Sequence, residues 1–66
     1  MRAFGENVRR ERLLRGLTQE QLAERSEIAT RNLQKIEAGE IDVRFTTAFR
    51  IRLGLRCSWK RLAPGC

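Results

Sequence analysis

Residues 18–39 read TQEQLAERSEIATRNLQKIEAG, from Thr18 to Gly39, and this stretch decides the fold. It parses as two short helices joined by a tight turn. In the second, over Thr30–Ala38, the apolar residues Leu33 and Ile36 are three apart, with Ile28 just upstream. Residues three or four apart share a helical face, so these three mark a buried side. The opposite face offers Thr30, Arg31, Gln34 and Lys35, with no carboxylate among them. Such groups match base edges in a DNA major groove: Arg to guanine, Gln to adenine, the Thr methyl to thymine. A polar helix face is ordinarily no more than a solvated surface. The residues upstream decide between the two readings.

Upstream, Thr18-Gln19-Glu20-Gln21 has the form of a helix start. Thr18 caps the free amides, and Gln21, three residues on, reaches back to Thr18 in a capping box. Leu17 outside the cap and Leu22 within the helix have the spacing of a hydrophobic staple. Leu22 and Ala23 face inward, and Ala23 is small enough for a second helix to cross closely. Ser26-Glu27-Ile28 is a short connection, as a helix-turn-helix requires.

With these residues in place, Thr18–Gly39 resembles the helix-turn-helix of the XRE family, the Cro and lambda-repressor-like DNA-binding domains. Leu17-Thr18-Gln19, Leu22-Ala23, Ile28 and Ile36-Glu37-Ala38-Gly39 carry the resemblance. It extends back through Arg12 and Gly16, and forward more weakly through Leu53-Gly54-Leu55 and Trp59. The resemblance implies an Arg12–Glu37 ion pair of structural purpose, a Gln19 contact to a DNA phosphate at a helix start, and a dimer contact near the C-terminus. The sequence also departs from the family. Glu27 stands where a Gly is usual, and Ala29 where a hydroxyl caps the reading helix. Thr30 is the alternative cap, which would start that helix one residue late. Glu40 and Asp42 occupy a loop that often holds phosphates, and they argue against ordinary DNA binding unless they turn away or Arg44 compensates.

The length of 66 residues sets a single domain, 1–66, burying roughly 60% of the surface its unfolded chain exposes. The single Pro and the lack of β-type alternation favour an all-helical chain. No apolar run is long enough to span a bilayer and no signal-peptide core is present, so the expected location is the cytoplasm. The net charge of +6 suits a polyanion. That excess lies entirely in residues 44–66, on Arg44, Arg50, Arg52, Arg56, Lys60 and Arg61, because the eight basic residues before them balance all eight acids. A basic segment beside DNA adds affinity without specificity; it is equally a solvated face or a dock for an acidic partner.

In chain order, helix 1 is expected from about Ala3 to Arg15, with Phe4, Val8 and Arg12 on one stripe and Leu14 and Leu17 continuing it. Gly16 closes it in a left-handed conformation. Helix 2 spans about Gln19–Arg25. Helix 4 is expected from Arg44 or Phe45 to Leu53, burying Phe45, Ala48, Phe49 and Leu53. Arg50 conflicts with that stripe, so either the helix is rotated or Arg50 extends outward along its stem. Gly54 then ends the helix. A short last helix starts near Ser58 and includes Trp59 and Leu62. Ala63-Pro64-Gly65-Cys66 reads as an end.

The chain has no His, and Cys57 and Cys66 lie nine apart, so a zinc site lacks ligands. Cys57 is expected to be a buried apolar residue and Cys66 an exposed thiol, with no disulfide. No phosphate-binding Gly loop and no nucleophile–base pair is present. No cofactor, metal or enzyme activity is expected. The reading is a compact five-helix, lambda-repressor-like domain that binds double-stranded DNA with Thr30–Ala38 in the major groove. Thr30, Arg31, Gln34 and Lys35 read bases, and Gln19, Asn32 and Arg44 hold phosphates. Such domains bind as two-fold dimers, here with Leu55, Trp59 and Leu62 as interface candidates. The expected role is a small bacterial or phage-type transcriptional regulator, repressing by occlusion. The rival reading is a protein-interaction module of the same fold, such as a toxin-binding antitoxin component, with DNA contact weak or lost. Nonspecific binding by the basic segment alone is a third.

Overall fold

The computed structural model describes residues 2–63. They form α1 (Arg2–Leu14), α2 (Gln19–Ser26), α3 (Thr30–Glu37), α4 (Phe45–Leu55) and α5 (Trp59–Leu62), with no strand among the described residues. Pro64, Gly65 and Cys66, and with them the expected exposed thiol, lie outside those residues.

Four of these helices stop in the same way. A left-handed residue follows each end: Glu27 (φ 57°) and Arg56 (55°) directly after α2 and α4, Gly16 (66°) and Gly39 (73°) one residue further on after α1 and α3. The following amide then bonds back five residues, Leu17 to Arg12 O at 3.2 Å, Ile28 to Ala23 O at 3.0 Å, Glu40 to Lys35 O at 2.9 Å and Cys57 to Arg52 O at 3.4 Å. This Schellman arrangement satisfies carbonyls that a helix end leaves open. In three cases the residue carrying that amide, Leu17, Ile28 or Cys57, also packs on the core. Gly adopts the conformation without strain, whereas Glu27 and Arg56 do so at a cost of about 1 kcal/mol each. Gly54 does not end α4, as its sequence position suggests; Arg56 does.

Phe4, Val8, Leu22, Ala23, Leu33, Ile36, Ala48, Ile51, Leu55, Cys57 and Leu62 form the core, none more than 8% exposed. Two stripes differ from the sequence expectation. In α4, Phe45, Phe49 and Leu53 are 74%, 40% and 53% exposed, and the buried side is Ala48, Ile51, Gly54 and Leu55. The helix is apolar on most of its circumference, so periodicity leaves its rotation open. Close approach to α2 settles it: a Cβ on Gly54 would lie 2.6 Å from Ser26 Oγ and 3.2 Å from Leu22 Cδ1. Rotated this way, α4 turns Arg50 to solvent, where its Nη1 donates to the Glu27 carbonyl at 3.4 Å.

In α1, Leu14 points outward at 68% exposure, and Glu11 is buried completely in the stripe with Phe4, Val8 and Arg12. Glu11 accepts from Arg15 Nη1 at 2.8 Å, Arg10 Nε at 3.1 Å and Arg61 Nη1 at 3.3 Å, which fastens α5 to α1. Burial pushes its carboxyl upward, but the bonds from Arg15 and Arg10 and the charge of Arg61 prevail and hold it below the ordinary value of 4.5. A carboxyl with a depressed folded-state pKa stabilises the fold above its unfolded pKa, and that contribution disappears as pH falls through the folded value. Glu11→Gln is therefore expected to lose about 1–3 kcal/mol at neutral pH. The gap to the parent should close in urea titrations repeated at progressively lower pH. A gap constant with pH would mean the carboxylate charge contributes nothing.

Candidate nucleic-acid interface

α3 is held by its inner face. Leu33 and Ile36 are 0% and 2% exposed, and Glu37, at 8%, ends the same stripe. Arg12 meets Glu37 side-on, Nε to Oε2 at 2.8 Å and Nη2 to Oε1 at 3.1 Å, while its Nη1 donates to the Leu17 carbonyl at 2.8 Å. Gln19 Nε2 donates to the same Glu37 Oε1 at 3.1 Å. One carboxylate thus joins the end of α3 to α1 and to the first residue of α2. The two-bond fork fixes an angle as well as a distance. Gly5 completes the fit, because a Cβ there would overlap the Ile36 carbonyl.

The start of α3 is uncapped by any side chain. Ala29 is the N-cap (φ −69°, ψ 140°) and Thr30 is already helical, so the alternative in which Thr30 caps a helix beginning one residue later does not hold. Thr30 is half-buried and shares a groove with Gln34, Thr18, Gln19 and Glu20. Arg31, Gln34 and Lys35 are exposed and bond to no other side chain among the described residues. Successive helical residues turn by about 100°. Arg31 and Lys35 therefore lie farthest from the core, with Gln34 toward the groove and Asn32, also exposed, on the other flank.

The start of α2 forms the groove's other wall. Thr18 Oγ1 accepts from the Gln21 amide at 3.0 Å, and Gln21 Oε1 accepts from the Thr18 amide at 2.8 Å. The amides of Gln19 and Glu20, the first two of α2, carry no such side-chain cap. Gln19 itself belongs to neither the cap nor open solvent, since one of its amide protons goes to Glu37. Arg44 is exposed at the N-cap of α4 and makes no capping bond. Glu40 and Asp42 are also exposed.

Of the three residues expected at a subunit interface, Leu55 and Leu62 are corrected: at 1% and 0% exposure they are core. The physical reasons are the rotation of α4, which turns Leu55 inward, and the docking of α5 on α1, where Asn7 Nδ2 donates to the Leu62 carbonyl at 2.9 Å. Trp59 stays half-buried and stacks on Phe45, with ring centroids 5.8 Å apart, and lies 6.4 Å from Phe49. The Arg52 guanidinium sits 5.3 Å from the Phe49 and Trp59 rings alike. The sequence reading placed Phe45 and Phe49 in the core and so missed this surface. The conflict at Arg50 was the available signal.

No group of three His, Cys, Asp or Glu suited to a metal occurs among the described residues, and no described helix is long and apolar enough to cross a membrane. The Cys57 thiol is raised above its ordinary value by burial.

A family model described as helix-turn-helix matches residues 8–62. No curated protein matches the chain. Among solved structures, the restriction-modification controller protein C.AhdI from Aeromonas hydrophila superposes with a TM-score of 0.89 at 26% identity, covering 92% of each chain. The family match runs from within α1 through α5 and includes the turn closed at Glu27 and the carboxylate that anchors α3. On that match the chain belongs to the helix-turn-helix proteins of the XRE family, which are DNA-binding transcription regulators.

Proposed function

We propose that this chain binds a specific duplex DNA sequence by laying α3 in the major groove. One observation carries the reading: α3 is anchored entirely through Leu33, Ile36 and Glu37, leaving Arg31, Gln34 and Lys35 exposed and uncommitted. Side chains that have no role in the fold are available for base edges. Thr30 is half-buried at the groove wall and reads at most the margin of the site. Phosphates on either side fall to the open amides at the start of α2, beside Gln19, and to Asn32 and Arg44.

Two copies acting together would double the contact and read an inverted repeat with half-sites about 34 Å apart. The exposed Phe45 and Phe49 beside the half-buried Trp59 favour this, since an aromatic surface of that kind gains by being covered. Similarity to a restriction-modification controller favours a regulatory role, and occlusion of a promoter is the simplest form it takes.

The test is selection from randomised duplex DNA at physiological salt, followed by Arg31→Ala on the enriched sequence. An inverted repeat is expected, and Arg31→Ala should weaken binding by about 1–3 kcal/mol and relax preference at one base pair. Binding unchanged by Arg31→Ala but abolished when Arg50, Arg52 and Arg56 are neutralised would replace this reading with nonspecific attachment through the basic segment. No enrichment at all would favour the protein-interaction module.

A further inference from the structure

The four arginines between residues 9 and 15, three in α1 and Arg15 just past its end, differ in what they do. Arg10 bonds to Glu11, Asn7 and the Arg61 carbonyl. Arg12 is committed to Glu37 and Leu17, and Arg15 to Glu11 and the Leu55 carbonyl. Arg9 alone of the four makes no hydrogen bond or ion pair among the described residues, and it is exposed. It borders a groove with Gln19, Gln34 and Ala38, above the buried Arg12–Glu37 pair. Glu37 already accepts three bonds from Arg12 and Gln19, its charge is matched by the Arg12 guanidinium, and it makes no bond to Arg9.

We infer that Arg9 is a phosphate contact, by which α1 grips the DNA backbone beside the C-terminal half of α3. The inference rests on α3 being the reading helix. Three observations converge on it. A guanidinium with no partner among the described residues stands in the same groove as Gln34, a candidate base reader. The loop after α3 presents Glu40, an exposed carboxylate that disfavours an anion there. The excess positive charge of the chain lies in residues 44–66, leaving Arg9 as the uncommitted cation among Arg9, Arg10 and Arg12 of α1. A guanidinium's planar fork suits two phosphate oxygens at once. A phosphate contact fixes register without choosing sequence.

The experiment compares the parent chain, Arg9→Ala, Arg9→Lys and Arg31→Ala on the selected duplex and on a random-sequence duplex of equal length, over a series of salt concentrations. Arg9→Ala is expected to weaken binding to both duplexes by the same factor, about five- to tenfold per protomer near 0.1 M salt. It should also reduce the slope of log K against log salt by about one per protomer. Arg9→Lys should keep the slope. Affinity and slope unchanged in Arg9→Ala, while Arg31→Ala still weakens the selected duplex, would overturn the role of Arg9 and leave the reading helix standing. Loss at one base pair with no change of slope would overturn it as well, making Arg9 a base reader. If Arg31→Ala is also without effect, the reading helix itself fails. Arg9 is exposed and bonded to none of the described residues, so its variants should melt with the parent, as circular dichroism would check.

Discussion

Replacing Glu37 with alanine is expected to leave much of the domain unfolded at room temperature. The substitution strands the Arg12 guanidinium, whose side chain is only 10% exposed, with the Leu17 carbonyl as its remaining partner. Breaking a buried pair from one side typically costs about 3–5 kcal/mol, because the surviving charge is left without compensation. A 66-residue domain has about 3–10 kcal/mol in all, so the loss is of the same order as the whole. Urea titration followed by circular dichroism measures it. Removing both charges at once, Arg12→Met with Glu37→Leu, should recover most of the deficit, since a well-packed apolar pair is often as stable as a buried ionic one. DNA affinity is not expected to return with stability, because Gln19 would still have lost the acceptor that holds it. A loss below about 1 kcal/mol in the single variant would place the pair among solvated surface bridges instead.

Gly5→Ala is the second large effect. Here the obstacle is backbone on both sides: the new methyl would overlap the Ile36 carbonyl and sit 3.1 Å from the Glu37 carbonyl oxygen. A flexible side chain would swing away, but a carbonyl inside a helix moves only with the helix. Overpacking of this kind costs about 1–3 kcal/mol, and occasionally more. Alanine's better helix propensity returns up to about 1 kcal/mol of it. With backbone as the obstacle the cost falls at the upper end of that range, so the net destabilisation is expected to be about 2 kcal/mol. More telling is where the strain goes. α3 must lift away from α1, so DNA binding by the folded fraction should fall too, whereas an ordinary loss of stability leaves that fraction's affinity unchanged. Unaltered melting and binding would mean that α1 slides along its axis to relieve the contact.

Much of this architecture was legible in the chain. Thr18 and Gln21 are a start signal whose chemistry is local, and Leu17, Leu22, Leu33 and Ile36 repeat with the helical period, so the order and placement of α2 and α3 follow from short-range rules. The end of α2 at Glu27 was legible only against the family pattern, where a Gly is usual. Long-range geometry was harder. α4 carries apolar groups at Phe45, Ala48, Phe49, Ile51, Leu53 and Leu55, so two different stripes satisfy its periodicity. The choice between them depends on how closely Gly54 approaches Ser26, which no local pattern encodes. Glu11 was missed for a related reason. An acid among arginines reads as part of a solvated face, and its burial depends on Arg61, fifty residues away in sequence. At the candidate site, the residues placed on the outer face of α3 were legible as a face. Arg9 was not legible, because its freedom shows only once Arg10, Arg12 and Arg15 have found their partners.

The separation of duties within α3 bears on how such a protein changes over time. Leu33, Ile36 and Glu37 fasten the helix and share no side-chain hydrogen bond or ion pair with Arg31, Gln34 or Lys35, although the two sets alternate along eight residues. Sites without shared partners combine additively. On the proposed reading, the preferred DNA sequence can drift through three exposed positions while the melting temperature stays put. A lineage of such chains would diverge in target before it diverged in foldability.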